Sequence, residues 1–562
     1  MSENKATEAQ ELSAEDIYKQ YTDCMQFDND ISFYDEVKEN RNYFIGNQWE
    51  GANVGNLTKV VVNIVGLIGR HHVAQIQTND ISSNITAFHT SDEEMALKVK
   101  VLNNELDKQI ELSRIKEKVR SMIEDSYTDG NTCIYLYTTI DEKSKELYKA
   151  DIQAEVLDST QVLFGNPYNP SIQSQPFVIV VQRLYLEDVK QMCRDNGVSE
   201  DVINGLAADD DESRMNESTA LNVLKTVITR FYKVKGSNGY SVHYTKSCKE
   251  TIIVEDTDLE ISMYPLVYSQ WQLRNKYNYR GVSPITYVKP NQQMINKILS
   301  LMLFYSQNMA FPYALADSTK LKRIINTIFT DSNGQKVITT PNIDMTGKVL
   351  DFMKAPDFSQ QVNNTLQMII DLTKECMGIS DANIGNVRPE NTSAIIALQD
   401  STMVPLQTQI RAFNDVYEQV ARIMVELMSV DYGSRDVEVI QNGEISVQSF
   451  NFNDLKDANL NIRVDVGQSQ YWSELTQIQT LDNLLARQVI TNPIDYLERI
   501  PSKYISNKQE LINSLKMAQQ QAMSSVGPQV EANAQMEGDY ATAEALAQMA
   551  NQGQQISTEV QA

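Results

Sequence analysis

Residues 290–310, PNQQMINKILSLMLFYSQNMA, and residues 359–378, SQQVNNTLQMIIDLTKECMG, decide the predicted fold. Apolar residues recur at helical spacing in both stretches, so each predicts an amphipathic helix. We expect the first helix to begin at Pro290, because proline suits a first helical position. Between the two helices, residues 312–356 predict a small module with a helix (LKRIINTIF), a hairpin around SNGQKVITT and a strand at KVLDFM.

A third and longer helix is predicted from Thr392 to about Ser429, with a bend at Pro405. Beyond that proline the apolar positions alternate by four and three residues. This spacing is typical of a seam that packs along another helix, and an ordinary amphipathic face is the alternative. The positions are Leu406, Ile410, Phe413, Tyr417, Val420, Met424 and Leu427. The preceding stretch, ISDANIGNVRPENTS, is rich in Asn, Gly and Pro and predicts a loop.

The rest of the chain predicts a sheet-rich region flanked by helices. Roughly the first 30 residues are expected to form a polar arm with some helical tendency. From Thr132 to about Tyr268, short β-branched and aromatic runs separated by turn residues predict strands. Further helices are expected through Phe33–Phe44, Glu93–Tyr127, Leu186–Asp195 and Trp472–Met517. The predicted fold class is therefore α+β with several domains.

The charge of the chain is strongly negative but unevenly distributed. The net charge of −25 argues against a protein that binds DNA tightly and generally, since Lys and Arg supply most of the affinity for phosphate. Residues 273–330 nevertheless carry eight basic residues and one acid, Asp317, which gives +7. The basic residues are Arg274, Lys276, Arg280, Lys289, Lys297, Lys320, Lys322 and Arg323. This split indicates a polyanion or an acidic partner, with an ordinary basic surface patch as the alternative.

Motifs that carry chemistry are missing from the sequence. It contains no phosphate-binding G-x-x-x-x-G-K-[ST] loop, no G-x-G-x-x-G after a strand, no G-x-S-x-G and no H-E-x-x-H. His71 and His72 are adjacent, so on a helix they point about 100° apart and do not easily share a metal. The acidic run Asp209–Glu212 is typical of a solvated loop. We therefore predict no catalytic residue, no cofactor and no metal site.

The sequence also predicts no insertion into a membrane. Its most apolar stretch, Ile298–Ala316, is interrupted by polar residues and predicts a buried helix rather than a bilayer span. The acidic, polar N-terminal stretch lacks the apolar core of a signal peptide. Five scattered cysteines are typical of a reducing cytoplasm.

Several segments, taken in order, resemble landmarks of the portal proteins of tailed bacteriophages. They are Asn42–Trp49 (NYFIGNQW), Val61–Val65 (VVNIV), Phe164–Tyr168, Tyr264–Val267, Pro290–Lys297 and Pro389–Ser393. The resemblance covers roughly residues 30 to 515. It implies a non-enzymatic ring, typically of twelve subunits, assembled in the host cytoplasm at one vertex of the capsid. Two alternatives remain at this point, namely another phage head or connector protein and an unrecognised cytosolic enzyme.

The resemblance also implies partners. The ring would pass double-stranded DNA without sequence specificity, and it would contact the major capsid protein, the terminase large subunit, and head–tail adaptor or tail proteins. By resemblance, DNA contacts are expected at Asn383, Asn386, Arg388 and Asn391, in the loop that projects into the tunnel. Docking of the terminase or an adaptor is expected at Lys320, Lys322 and Arg323. Further basic contacts on the stem are expected at Lys289 and Lys297.

Family members consist of a wing, a stem, a clip and a crown, and these parts transfer to the present chain by the same resemblance. The expected boundaries are an N-terminal arm at 1–29, the wing at 30–285, stem helices at 286–310 and 357–378, the clip at 311–356, the tunnel loop at 379–392, a long wing helix with returning strands at 393–470, the crown at 471–520 and a low-complexity tail at 521–562.

Overall fold

The computed structural model divides the chain into two compact units, Met1–Gln468 and Ser469–Ala562. It describes residues 12–53, 57–77, 80–87, 93–140, 150–209, 224–236, 239–275, 278–310, 314–317, 337–340, 350–352, 359–379, 404–441, 444–455 and 460–467 of the first unit. In the second unit it describes residues 481, 496–497, 508 and 511–517.

In chain order, helices precede and follow the sheet-rich stretch of the first unit, as the sequence predicts, and two short helices interrupt that stretch. They are α1 (Ala14–Asp30), α2 (Phe33–Ile45), α3 (Ile64–Gln77), α4 (Glu93–Leu112), α5 (Ile115–Asp129), α6 (Leu186–Asp195), α7 (Glu200–Gly205), α8 (Pro284–Ala310), α9 (Gln360–Cys376) and α10 (Gln407–Asp431). Gly46 ends α2 with a φ of 100° and Gly130 ends α5 with a φ of 81°, a conformation that glycine adopts without steric cost.

Strands form mostly antiparallel sheets, which confirms a mixed α+β fold. They are β1 (Asp80–Ala87), β2 (Asn131–Ile140), β3 (Ala150–Leu157), β4 (Val162–Phe164), β5 (Phe177–Tyr185), β6 (Leu224–Gly236), β7 (Gly239–Ser247), β8 (Ile252–Asp258), β9 (Leu266–Gln270), β10 (Ala314–Asp317), β11 (Val337–Thr340), β12 (Leu350–Phe352), β13 (Ser434–Gln441), β14 (Glu444–Asn451) and β15 (Leu460–Gly467). The largest sheet has the order β4-β5-β6-β7-β8, and the others are β3-β2-β9, β11-β10-β12, β1-β15 and β13-β14.

The main core lies where α2–α5 and α10 cover the β3-β2-β9 sheet. In α10 the predicted seam is buried at Phe413, Val420 and Met424. It packs chiefly across β2, β9 and β15 rather than along a single helix, so the ordinary amphipathic face is the correct alternative. Residues 392–403, with which this helix was predicted to begin, lie outside the described part of the chain.

The single helix predicted from Glu93 to Tyr127 is in fact two helices. Arg114 has a φ of 51°, which interrupts the helical backbone between α4 and α5. The preceding Ser113 donates a hydrogen bond from its hydroxyl to the carbonyl of Ile152, at 2.6 Å. Contact with β3 therefore fixes this corner.

From Ala14 onward, the N-terminal arm is a folded helix. The side chain of Ser13 and that of Asp16 cap the start of α1 reciprocally. Ile17 is buried against Leu163, Ile179 and Ile228 of the five-stranded sheet. The described part of the arm thus belongs to the same body as the strands.

Helix α8 begins at Pro284, six residues before the predicted start at Pro290. Ser283 accepts a hydrogen bond from the backbone N–H of Ile285, at 3.1 Å, and thereby caps the helix. Pro284 therefore takes the first helical position that we assigned to Pro290, and Pro290 lies inside the helix.

Beyond Ser300, α8 departs from the buried helix that its composition predicts. Leu301 is 49% exposed and Leu303 is 37% exposed. Among the described residues, no helix combines the length and hydropathy needed to cross a bilayer.

The module between α8 and α9 contains a small sheet. Strand β10 pairs in parallel with β11 and antiparallel with β12. The predicted strands at VITT and LDF are confirmed. The sequence also predicted a hairpin around SNGQKVITT, but among the described residues β11 pairs with β10. The helix predicted at 321–329 lies outside the described residues, as do the tail at 521–562 and most of 471–520.

Candidate functional site: the base of the α8–α9 helical pair

Helices α8 and α9 leave the body of the protein side by side. Asn291, near the start of α8, donates to the hydroxyl of the buried Thr373, near the end of α9, at 3.2 Å. An apolar cluster continues the contact: Ile64, Ile68, Ile295 and Ile379, with Leu299, Leu366, Ile369, Ile370 and Met377 packed against them. The start of one helix thus lies beside the end of the other, and the pair runs antiparallel.

A buried glutamine on α8 holds the start of α3. The Oε1 atom of Gln292 accepts hydrogen bonds from the backbone N–H groups of Ile64 (3.1 Å) and Val65 (3.3 Å). Its Nε2 atom donates to the carbonyl of Val62 (2.8 Å) and to Oδ1 of Asn296 (2.9 Å). The first N–H groups of a helix have no partner within it. Here a side chain from a different helix supplies one.

A second set of amides extends this network to α2. Asn296 donates to Oε1 of Gln48 at 2.6 Å, and Gln48 donates to Oδ1 of Asn63 at 2.9 Å. Gln48 also donates to the carbonyl of Tyr43, at 3.0 Å, while Asn63 donates to the carbonyl of Phe44, at 2.8 Å. The segments NYFIGNQW, VVNIV and PNQQMINK, quoted above as landmarks, therefore meet in one hydrogen-bonded network.

An open groove of about 270 Å³ borders the network. Trp49, Glu50, Gln293 and Lys297 line it together with Asn42 and other polar residues. Trp49 is held in place by a hydrogen bond from its indole N–H to the carbonyl of Val60, at 3.0 Å. Five of the eleven lining residues are amides and none is Ser, Thr, Cys or His, so the groove offers mainly hydrogen-bonding groups for a contact.

Three of the four basic residues of the window that the structure describes are paired with acids from the first two helices. The guanidinium of Arg280 is fully buried against the carboxylate of Asp28, with Nε 3.1 Å from Oδ1. Its Nη1 donates to the carbonyl of Ser159 at 2.7 Å, and the group lies 4.0 Å from the ring centroid of Phe33. This arginine therefore anchors α1 to the segment that leads into α8 and is not available to an outside partner.

Two further basic residues are paired in the same way. Arg274 forms an ion pair with Glu36, and Lys289 forms one with Glu39. Because the side chain of Lys289 is only 17% exposed, its geometry does not favour the DNA contact predicted for it. Lys297 is exposed, and no ion pair involves it within the part of the chain that the structure describes.

The other predicted site residues lie outside the described residues. This applies to Asn383, Asn386, Arg388 and Asn391 of the expected tunnel loop and to Lys320, Lys322 and Arg323 of the expected clip. Sequence reasoning did not identify Gln292 and Asn296 as site residues. Their spacing of four residues on one helix face, within a segment that resembles a portal landmark, was the available signal.

Titratable groups near the base show the effect of burial. His72 on α3 packs against the ring of Tyr127, with centroids 6.0 Å apart. Burial, assisted by the neighbouring charge of His71, lowers the pKa of His72 to about 4. Burial also raises the pKa of Asp125 to about 6, and the charge of Asp129 contributes in the same direction. Within the described ranges, no group of three or more His, Cys, Asp or Glu residues is arranged to hold a metal ion.

Comparison with known proteins gives one family. Residues 97–562 match the family model described as phage P22-like portal protein. None of the curated proteins matches the chain. The match includes α8, α9 and the module between them. The segments Asn42–Trp49 and Val61–Val65 lie before it.

Proposed function

The chain belongs to the phage P22-like portal protein family, and on this premise we propose which segments of the chain perform each function of a portal subunit. Portal proteins are structural: a ring of subunits at one capsid vertex forms the passage through which DNA is packaged and ejected. The chain is accordingly a structural subunit of the virion and not an enzyme. This assignment replaces both alternatives left open by the sequence.

The assignment of segments to a stem and a clip rests on one observation. The antiparallel helices α8 and α9 precede and follow the small sheet β10–β12 in the chain. In our proposal the stem comprises 286–310 and 357–378, and the clip comprises 311–356. The amide network supports this assignment, because Gln292 and Asn296 tie the start of the first stem helix to α2 and α3. A stem that passes DNA under load needs such a fixed base, since buried, fully paired amides hold one geometry.

Weak contact with DNA follows from the requirement that the duplex slide. Many Lys and Arg contacts would release counterions and bind the duplex tightly. We place the contacts in the loop 379–392, at Asn383, Asn386, Arg388 and Asn391. Arg388 matches the charge of a phosphate, and the asparagine amides can exchange hydrogen bonds from one phosphate to the next.

Docking of other proteins is proposed for the remaining parts. Lys320, Lys322 and Arg323 of the clip would face an acidic surface of the terminase large subunit or of a head–tail adaptor. The sheet-rich wing would contact the major capsid protein. The arm, the crown at 471–520 and the tail at 521–562 receive no assigned partner.

Deletion of Asn383–Pro389 tests the assignment of the tunnel loop. We expect intact rings that package shorter DNA or lose it after packaging, measured by gel electrophoresis of nuclease-protected DNA. Deletion of seven residues, 211–217, from the acidic stretch between α7 and β6 is the matched control. A loop-deleted portal that packages and holds a full genome would show that the loop only connects two helices.

A further inference from the structure

Helix α8 carries an exposed, mostly apolar stripe. Tyr287, Pro290, Met294, Lys297 and Leu301 follow one another at alternating spacings of three and four residues, and all are exposed. Tyr287 is 58%, Met294 54% and Leu301 49% exposed. This spacing is that of a helix seam, and exposed apolar patches of this kind mark interaction sites.

The stripe does not face α9 of the same chain. At 3.6 residues per turn, Met294, Lys297 and Leu301 point roughly a third of a turn away from Asn291 and Ile295, which contact α9 and its cluster. They also point away from Gln292 and Asn296, whose amides face α2 and α3. The stripe therefore lies on the outer side of the pair.

Helix α9 has an open face of its own. Met368 is 55% exposed and Leu372 is 48% exposed, four residues apart on one side of the helix. The side that packs toward α8 contains Leu366, Ile370 and Thr373, roughly opposite. One antiparallel pair thus presents two unlike apolar faces, one on each flank. Unlike faces on opposite flanks suit head-to-tail contact between copies, which closes into a ring when the rotation fits.

Charges on the two faces are complementary. Lys297 lies within the stripe of α8, and α8 contains no acid. Asp371 and Glu375 are exposed beside Met368 and Leu372 on α9. Opposite charges at the rim of an apolar contact favour one register over others.

The two faces also match in level along the pair. Asn291 and Thr373 mark a common level. At 1.5 Å per residue, Met294 lies about 4.5 Å further along and falls between Leu372, at about 1.5 Å, and Met368, at about 7.5 Å. By the same count Lys297 lies about 6 Å from the level of Asp371, within the reach of an extended lysine side chain.

We propose that the α8 stripe of each subunit packs against the α9 face of the next copy of this chain, with Met294 between Met368 and Leu372 and with Lys297 facing Asp371. The proposal rests on the proposed function in taking the pair as the stem of the ring. It assigns Lys297 to the contact between subunits instead of to DNA. It also explains why Met294 and Leu301 are exposed in a single chain.

A charge swap tests the pairing in the full-length protein. Lys297→Glu should lower the ratio of ring to free subunit at least about tenfold in mass photometry, which corresponds to roughly 1.4 kcal/mol per contact. The double variant Lys297→Glu with Asp371→Lys should restore most of the ring. Lys235→Glu, on the exposed end of β6, reverses the same charge elsewhere and should leave assembly unchanged.

A disulfide trap tests the geometry independently. Met294→Cys and Met368→Cys are combined with Cys376→Ser, which removes the exposed native thiol. Because the two positions lie on opposite flanks of one pair, a bond between them must join two chains. Mild oxidation of rings should give a ladder of linked chains that extends to the full ring on a denaturing gel. The variant with Met294→Cys and Cys376→Ser alone should give no ladder.

The outcomes separate this proposal from the proposed function. An unchanged protein that never forms rings would contradict the portal function itself. Rings of the unchanged protein, combined with no linked ladder or with no rescue by the charge swap, would overturn the interface alone. A Lys297→Glu ring that assembles normally but packages less DNA would likewise overturn it and return Lys297 to DNA contact.

Discussion

Replacement of Gln292 by leucine should destabilise the base of the helical pair more than the same replacement at its exposed neighbour Gln293. Leucine has a similar size but makes none of the four hydrogen bonds of the glutamine amide. The N–H of Val65 loses the acceptor it has in this network, whereas the N–H of Ile64 keeps the carbonyl of Val62, at 2.9 Å. Oδ1 of Asn296 likewise keeps the N–H of Val62, at 3.3 Å.

The magnitude follows from this account of lost and retained bonds. One buried donor left unsatisfied costs about 1–3 kcal/mol, and the weakened partners add roughly 1 kcal/mol. Burial of the leucine side chain offsets about 1 kcal/mol of this. We therefore expect a net loss of about 1–3 kcal/mol in the free energy of unfolding.

Thermal unfolding followed by tryptophan fluorescence measures the effect, because Trp49 lies beside the network. In a unit as large as Met1–Gln468, 1 kcal/mol corresponds to about 1 °C, so a loss of this size should lower the apparent Tm by roughly 1–3 °C. Gln293→Leu, on the exposed side of the same helix, should change the apparent Tm by about 0.5 °C or less. Hydrogen exchange should accelerate at the amide of Val65 in the first variant only. Equal behaviour of the two variants would refute the idea that Gln292 caps α3.

Three further predictions concern charges. Arg280→Met leaves the buried carboxylate of Asp28 without its cation, so we expect a loss of about 3–5 kcal/mol and detachment of α1, seen as protease cleavage within 14–30; a variant as resistant as the unchanged protein would contradict this. The unfolded chain protonates His72 below about pH 6.5 while the folded chain does so only near pH 4, so stability should fall as the pH drops through this window, by up to about 3 kcal/mol, and His72→Gln should flatten that part of the Tm profile; an unchanged profile would exclude His72 as its source. Reversal of charge at Lys320, Lys322 and Arg323 should leave rings intact but impair terminase docking and DNA packaging, measured by co-sedimentation and nuclease protection, and normal packaging by this variant would remove the docking hypothesis.

Sequence periodicity predicted most helices and the class of the fold, because burial of one helix face leaves a local pattern. The predicted start of α8 was wrong by six residues, because two prolines, Pro284 and Pro290, could each occupy a first helical position. The hydrogen bond from the N–H of Ile285 to the hydroxyl of Ser283 distinguishes the two prolines, and only the structure shows this bond.

The site was less predictable, because its partners are distant in sequence. The basic window seemed to indicate a surface for a polyanion, yet Arg280 and Lys289 pair with Asp28 and Glu39, about 250 residues earlier in the chain. A count of charges along the sequence does not register such pairs. The apolar content of a segment likewise does not reveal which surface the segment contacts. An apolar residue such as Leu301 is equally compatible with a core within one chain and with a contact between two copies.

The mass and shape of the purified full-length protein show directly whether this chain assembles into a portal ring. Family resemblance implies typically twelve subunits, and twelve chains of 63.7 kDa give a ring of roughly 0.7–0.8 MDa. We expect this mass by native mass spectrometry, together with closed rings around a central channel in electron micrographs. A monodisperse 63.7 kDa monomer, over a wide range of salt and protein concentration, would show that the chain does not form a ring.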